Sequence, residues 1–249
     1  MTIVVDIGNT NICVAVFSSE DEISYIGNYP DNLFHTAREF ADELKKICPY
    51  PGKAVVCSVV PALTNEVCRA LRTVCGEDNV TVIDSSFNDG LVIKGYDRKK
   101  LGNDRVADMT AAKKLYGAPC VVFDMGTCTT VSVLDKEGAF VGGMIMPGLG
   151  LSINALSSGT ALLPGIKPHA PNTLLGQDTV SCINNGVIFS QACAIEGICS
   201  RVEESFGEKV NAVVTGGAAK FVLPVTRRDV IYDEHLLIKG IKMMTDNAR

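Results

Sequence analysis

The chain has 249 residues, 47% of them hydrophobic and 20% charged, with a formal net charge of −5. The apolar content supports a substantial core, in one large domain or two of ordinary size. The acidic balance excludes a general binder of nucleic acid or anionic membrane, because the basic footprint such partners need is missing.

From residue 2 to about 28, short β-rich runs broken by polar corners predict three antiparallel strands. Leu33, Phe34, Ala37, Phe40, Ala41, Leu44 and Ile47 recur at helical spacing, so a helix is expected over 33–47. Residues 54–60 read as a buried strand stopped by Pro61, 63–74 as a helix ending before Gly76, and 80–83 as a short strand. A loop holding Asn88-Asp89-Gly90 and Tyr96 leads to a helix over 102–116, giving β-β-β-α-β-α-β-α for the first half. The second half restarts at Pro119 with a strand into Asp124, a corner and a strand over 131–134. A third strand, 140–146, follows the turn Lys136-Glu137-Gly138, and Pro147-Gly148 opens a helix carrying Leu151, Ile153, Ala155 and Leu156. Residues 161–176, with Pro164, Pro168 and Pro171, read as a loop and the most mobile segment. A long helical pattern over 178–206 precedes a strand at 211–215, the Gly216-Gly217 corner, a strand near 230–232 and a final helix from about residue 234. The halves share an order of elements with no low-complexity linker between them. Two domains, 1–116 and 117–249, are therefore expected.

The ten cysteines include no Cys-x-x-Cys pair and stand among apolar neighbours, so they read as reduced core hydrophobes. The start, Met-Thr-Ile-Val-Val-Asp, has no basic region and enters a strand at once. No apolar run approaches the roughly 18 residues of a membrane span. A cytoplasmic protein with no membrane or nucleic-acid partner is the expectation.

Chemistry concentrates at three corners. Asp6-Ile7-Gly8-Asn9-Thr10-Asn11 and Asp124-Met125-Gly126-Thr127-Cys128-Thr129-Thr130 each join two strands, with Gly where the backbone must turn and let a ligand approach. Their N–H groups and hydroxyls can donate to phosphate oxygens, whereas the lone carboxylate needs a cation between itself and phosphate. One isolated copy is as well explained by an Asx turn. Its repetition argues for two similar domains facing a nucleotide. Such a carboxylate can hold Mg²⁺ through water or bind a monovalent cation, since oxygen ligands suit both. The third corner, Val213-Val214-Thr215-Gly216-Gly217-Ala218-Ala219, is a helix cap when taken alone. Beside the other two it becomes a place for adenosine or its phosphates.

Gly102-Asn103-Asp104-Arg105 opens a predicted helix. Asp104 can serve as an N-cap, but Arg105 adds a guanidinium able to clamp a substrate carboxylate bidentately. Asp104 can then accept a proton from a substrate hydroxyl as it attacks a γ-phosphate. Phosphoryl transfer needs mainly positioning and charge neutralisation, which this set supplies. His35, His169 and His235 lack metal spacing and read as non-catalytic; Asp108, four residues beyond Asp104 on the same helix face, can tune it but reads rather as an outward solvated carboxylate, and Lys113-Lys114 and Arg227-Arg228 read as surface charges.

The ordered set Asp6-x-Gly8-Asn9-Thr10, Gly102-x-Asp104-Arg105, Asp124-x-Gly126-Thr127-x-Thr129, Gly142-Gly143-x-Ile145-x-Pro147-Gly148, Ala161-x-Leu163-Pro164, Asp178-Thr179 and Thr215-Gly216-Gly217 resembles the type III pantothenate kinases over nearly the whole length. These belong to the acetate and sugar kinase/Hsp70/actin superfamily. The resemblance implies an α/β fold of duplicated ribonuclease H-like (actin-like ATPase) domains, each with a central mixed sheet, and a nucleotide cleft between them. It implies ATP-dependent phosphorylation of pantothenate to 4'-phosphopantothenate, the first step of coenzyme A biosynthesis, with Mg²⁺ and a K⁺ or NH₄⁺ ion. By the same resemblance ATP is contacted by Asp6, Ile7, Gly8, Asn9, Thr10, Asn11, Ile12, Cys13 and Thr127. The monovalent cation belongs to Asp124, hydrated Mg²⁺ to Asp6, and the role of general base to Asp104. Pantothenate is held by Tyr96, Gly102, Asn103, Asp104, Arg105 and Thr179, with Arg105 near its carboxylate, in a homodimer whose second subunit helps wall the pocket. Cys128 departs from the family's usual Ala, and the Tyr96-to-Gly102 interval is slightly short and lacks a usual Pro. One rival is a kinase of the same superfamily with a sugar or small acid as acceptor, of which a neutral sugar leaves Arg105 unexplained; the other is a non-catalytic nucleotide-binding regulator, which has no use for a base.

Overall fold

The computed structural model describes residues 1–19, 22–33, 36–87 and 90–247. Phe34 and His35 of the first predicted helix and Asn88 and Asp89 of the predicted loop lie outside the described residues. The chain divides into two compact units: Met1–Leu91, Tyr96–Ala111 and Leu237–Arg249 form the first, Val92–Gly95 and Ala112–Leu236 the second.

The elements are β1 (Thr2–Ile7), β2 (Asn11–Phe17), β3 (Ile23–Pro30), α1 (Ala37–Ile47), β4 (Lys53–Ser58), α2 (Pro61–Cys75), β5 (Val80–Ile83) and α3 (Asn103–Tyr116). There follow β6 (Cys120–Met125), β7 (Cys128–Leu134), β8 (Phe140–Pro147), α4 (Leu149–Gly159), α5 (Thr179–Phe206), β9 (Asn211–Thr215), α6 (Ala219–Val222), β10 (Ile231–Tyr232) and α7 (Leu236–Asn247).

In unit 1 a five-stranded sheet runs β3-β2-β1-β4-β5. β1–β2 and β2–β3 pair antiparallel, β1–β4 and β4–β5 parallel. Alternation along the strands sends Ile3, Val5, Ile7, Val14, Val16 and Val56 into one core with Phe40 and Leu44 of α1 and Val67 and Leu71 of α2. Val4, Ala15 and Val55 on the opposite face are buried as completely, which is why these strands read as near-continuous apolar runs. Asp6 falls on that second face by parity. α1 starts later than its apolar spacing suggests because the Thr36 hydroxyl accepts from the Glu39 N–H at 3.2 Å, capping the helix there. Pro61 both ends the strand region and opens α2, in the first turn where its missing N–H costs nothing. At the other end of the chain, α7 meets α3 backbone to backbone: a Cβ on Gly240 would fall on the Ala107 carbonyl.

Unit 2 repeats the plan. Its sheet, order β10-β9-β6-β7-β8, read from the far edge is β8-β7-β6-β9-β10, with the same two antiparallel and two parallel pairings. Val121, Phe123 and Met125 pack with Leu149 and Ile153 of α4 and Ile188 and Ile195 of α5, leaving Asp124 on the opposite face. Asp6 and Asp124 are thus equivalent: each is the penultimate residue of its sheet's first strand. The proline loop expected to be mobile is anchored by two buried side chains of α5. The Asn184 amide donates to the His169 carbonyl and accepts its N–H, both at 3.0 Å, and Asn185 donates to the Thr173 carbonyl at 2.8 Å.

All ten cysteines are free, as the reduced-thiol reading expects, but the core reading fails for Cys182 and Cys193, which are exposed on α5. Arg228 is not the expected surface charge: its side chain is 19% exposed and Nη2 lies 2.6 Å from Glu203 Oε1. Asp108 is also corrected, being 2% exposed rather than outward. Among the described residues no helix is long and apolar enough to cross a membrane.

Candidate active site

In unit 1 the first corner closes with the Gly8 N–H donating to the Asn11 carbonyl at 3.0 Å. Asn9, Thr10 and Asn11 are exposed. Ile7 and Ile12 are committed to the core, so either can meet a ligand only through its backbone. Asp6, half-buried, is in register with Cys13 on one neighbouring strand and Cys57 on the other. Burial and then the Asp6 charge push the Cys13 thiol up to about 12. Cys57 is pushed well up by burial, then by Asp6, Asp104 and Asp108, with Arg98 opposing. The charges of three carboxylates from β1 and α3 therefore reach one buried neutral thiol.

α3 carries the second cluster. Asn103 Nδ2 donates to the Ile83 carbonyl at 3.1 Å and its Oδ1 accepts from Arg98 Nη2 at 2.9 Å, so this amide ties β5, the preceding loop and the helix start together. Asp104 Oδ1 accepts from the Arg105 N–H at 2.8 Å. The carboxylate curls over Gly102, where an added Cβ would fall on the same oxygen. Arg105 is 8% exposed. Burial lowers its proton affinity, and the charges of Tyr96, Asp104 and Asp108 work against that loss. Tyr96 itself is 45% exposed. The structure brings Asp6, Tyr96, Gly102, Asn103, Asp104 and Arg105 into unit 1. It adds Arg98 and Cys57, which the motif reading missed, and Asp108, which that reading set aside as solvated. Arg98 left a sequence signal in the basic run Arg98-Lys99-Lys100 just ahead of Gly102, and Asp108 in its place one helical turn beyond Asp104.

In unit 2 the Gly126 N–H donates to the Cys128 carbonyl at 3.0 Å, and the Gly148 N–H to Thr127 at 3.1 Å. A Cβ on Gly148 would fall on the carbonyls of Gly126 and Thr127. The third corner folds onto the same strand end: the Ala218 N–H donates to the Met125 carbonyl at 3.0 Å. Gly216 sits at φ +90°, and an added Cβ would lie 2.6 Å from Met125 backbone atoms, which no side chain can do. Asp124 is in register with Thr130 and Thr215. Thr127 is exposed at the tip. Thr179 is exposed as the first residue of α5, whose capping box is made by Asp178 and Ser181.

A sequence model of the type III pantothenate kinases matches residues 2–201. A relative from Moorella thermoacetica with that name is 30% identical, over 98% of this chain and 98% of its own. The chain belongs to the type III pantothenate kinase family. Solved structures carry the fold further. One from Campylobacter jejuni, assigned to the Baf family of transcriptional activators, gives a TM-score of 0.61 at 19% identity and covers 98% of both chains. An archaeal actin homologue gives 0.53 at 12%, covering 99% of each. The repeated mixed sheets thus share the fold of that actin homologue, two ribonuclease H-like domains of one plan. Within this kinase family fold, the two equivalent aspartates have unlike neighbours. Sulfur flanks Asp6, and hydroxyls flank Asp124. Among the described residues no group of three or more His, Cys, Asp or Glu could hold a metal ion.

Proposed function

We propose that the chain phosphorylates the terminal hydroxyl of pantothenate with ATP, giving 4'-phosphopantothenate at the start of coenzyme A biosynthesis. The observation that carries this is the first turn of α3 in a chain of this family. Asp104 and Arg105 stand there side by side, and the Asp104 charge reaches the Cys57 thiol that neighbours Asp6. Asp104 accepts the proton of the attacking hydroxyl, a role that suits a half-exposed carboxylate with one oxygen already oriented by a backbone N–H. Arg105 receives the substrate carboxylate through its planar fork, and Tyr96 and Thr179 line the acceptor's path. The corner residues 6–13 and Thr127 orient ATP.

The donor sets fit the ions expected. Asp6 is one hard ligand between two protonated thiols, which suits an ion that keeps most of its water, as Mg²⁺ does. Asp124 lies between two threonines, an oxygen-only neighbourhood suited to K⁺ or NH₄⁺. When bound, these ions neutralise phosphate charge; the chain's own residues do the aligning and the proton transfer.

A homodimer belongs to the same proposal. Its support is a set of large apolar side chains of unit 2 open to a partner, with Leu162 91%, Leu175 77%, Ile145 67% and Leu174 60% exposed. A cytoplasmic location is supported by the ten free thiols. The test is ATP consumption by the purified chain with and without pantothenate, in potassium and in sodium buffer. Turnover that needs pantothenate and falls in sodium is expected. ATP binding without pantothenate-dependent turnover would return the chain to the class of regulators, and indifference to potassium would remove the role of Asp124.

A further inference from the structure

We propose that Asp108 is a positioning residue for the acceptor: a buried counter-charge that holds the Arg105 guanidinium ready for the substrate carboxylate. The inference rests on the reading of Arg105 given above. Arg105 and Asp108 lie three residues apart on α3, the spacing that makes helix side chains neighbours. They are buried alike, at 8% and 2% exposure. A guanidinium and a carboxylate this far from water are each tolerated only beside an opposite charge. The acidic groups that act on Arg105 are Tyr96, Asp104 and Asp108. Tyr96 is 45% exposed, far more open to solvent than the arginine. Asp104 has one oxygen engaged by a backbone N–H and is half-exposed, as a base must be. Asp108 alone among them is as deeply buried as the arginine. From β4, the group facing Asp108 is the Cys57 thiol, which is neutral and offers no competing cation. Arg98 is another cation whose charge reaches the same thiol, and its guanidinium also donates to Asn103 and the Leu101 carbonyl. A guanidinium fixed along one edge keeps its other N–H groups aimed, so substrate binding need not freeze a long flexible side chain.

The experiment is steady-state kinetics on the full chain as wild type, Asp108→Asn, Arg105→Gln and the double variant. Each is assayed with pantothenate and with its alcohol analogue, in which a hydroxymethyl group replaces the carboxylate. If Asp108 acts through Arg105, Asp108→Asn raises KM for pantothenate about ten- to a hundredfold. KM for ATP and all constants for the alcohol analogue stay as in wild type, and the substitution adds nothing in the Arg105→Gln background. Unchanged KM for pantothenate, or equal losses for both acceptors, overturns the proposal. Folding is informative in the same way, because removing one buried charge strands the other. An Asp108→Asn chain that unfolds alone but folds together with Arg105→Gln supports the pairing, whereas unfolding in both backgrounds makes Asp108 a structural residue. A wild-type chain with no pantothenate-dependent turnover brings down the underlying reading instead, and is told apart by that control.

Discussion

At the scale of single residues, the site separates what a side chain is from where it is. Asp6 and Asp124 occupy equivalent strand positions, yet one is flanked by Cys13 and Cys57 and the other by Thr130 and Thr215. Both aspartates, and Asp104, were legible because an Asp-x-Gly corner and a Gly-x-Asp-Arg turn are local patterns. The burial of Asp108 was not. A carboxylate on a helix is ordinarily solvated, and the burial of this one follows from α3 having no polar stripe: Val106, Ala107, Met109, Thr110, Ala111 and Ala112 are all buried around it. For the base, Asp104→Asn keeps the size of the side chain and removes its basicity. It is expected to lower kcat by about 10²–10⁴ while equilibrium binding of ATP stays close to wild type. Near-normal turnover in that variant would assign the proton to another acceptor.

At the scale of elements, periodicity located most strands and helices, because alternation and helical spacing are consequences of burial. It missed contacts that depend on distant chain. Nothing near Gly240 announces that α7 will lie against Ala107, yet that approach leaves no room for a methyl group. Gly240→Ala must therefore push α7 away from the helix that bears Asp104. Overpacking of this kind costs about 1–3 kcal/mol, so Tm should drop by about 3–10 °C, with kcat reduced in the folded fraction. A variant with unchanged Tm and kcat would show that the two helices have slack. Arg228, which sequence alone left at the surface, is a second long-range case. Its hydrogen bond, with help from the Val210 N–H and Lys209, holds the Glu203 carboxyl down to about 2 against an ordinary 4.5. A carboxylate depressed in the folded state stabilises fully above its unfolded value and loses that contribution as pH falls toward its folded one. Glu203→Gln should thus be less stable than wild type at pH 7, and the gap should close between about pH 4.5 and 2. Denaturant midpoints across that window measure it; a gap that persists at pH 2 would assign the effect to packing.

At the scale of the whole molecule, the strand order of one unit is repeated in the other, and sequence showed the repeat because both copies keep the same corner. It could not show exposed apolar surface, which depends on which loop covers which helix. If Leu162 and Leu175 are covered in a homodimer, replacing both by Glu should convert a dimer to a monomer in sedimentation velocity and weaken pantothenate turnover. A wild-type chain that sediments as a monomer at every concentration would refute the dimer.

The path of the backbone has a further consequence. The first unit takes back the last helix of the chain, and the second borrows Val92–Gly95 from the middle of the first half, where Phe140 and Val92 share a backbone hydrogen bond and Lys94 lies 2.6 Å from Asp135. Severing the chain near residue 117 would therefore strip each fragment of a piece of its own scaffold. Neither should fold alone, and any recovered catalysis would require the two fragments to be refolded as a mixture.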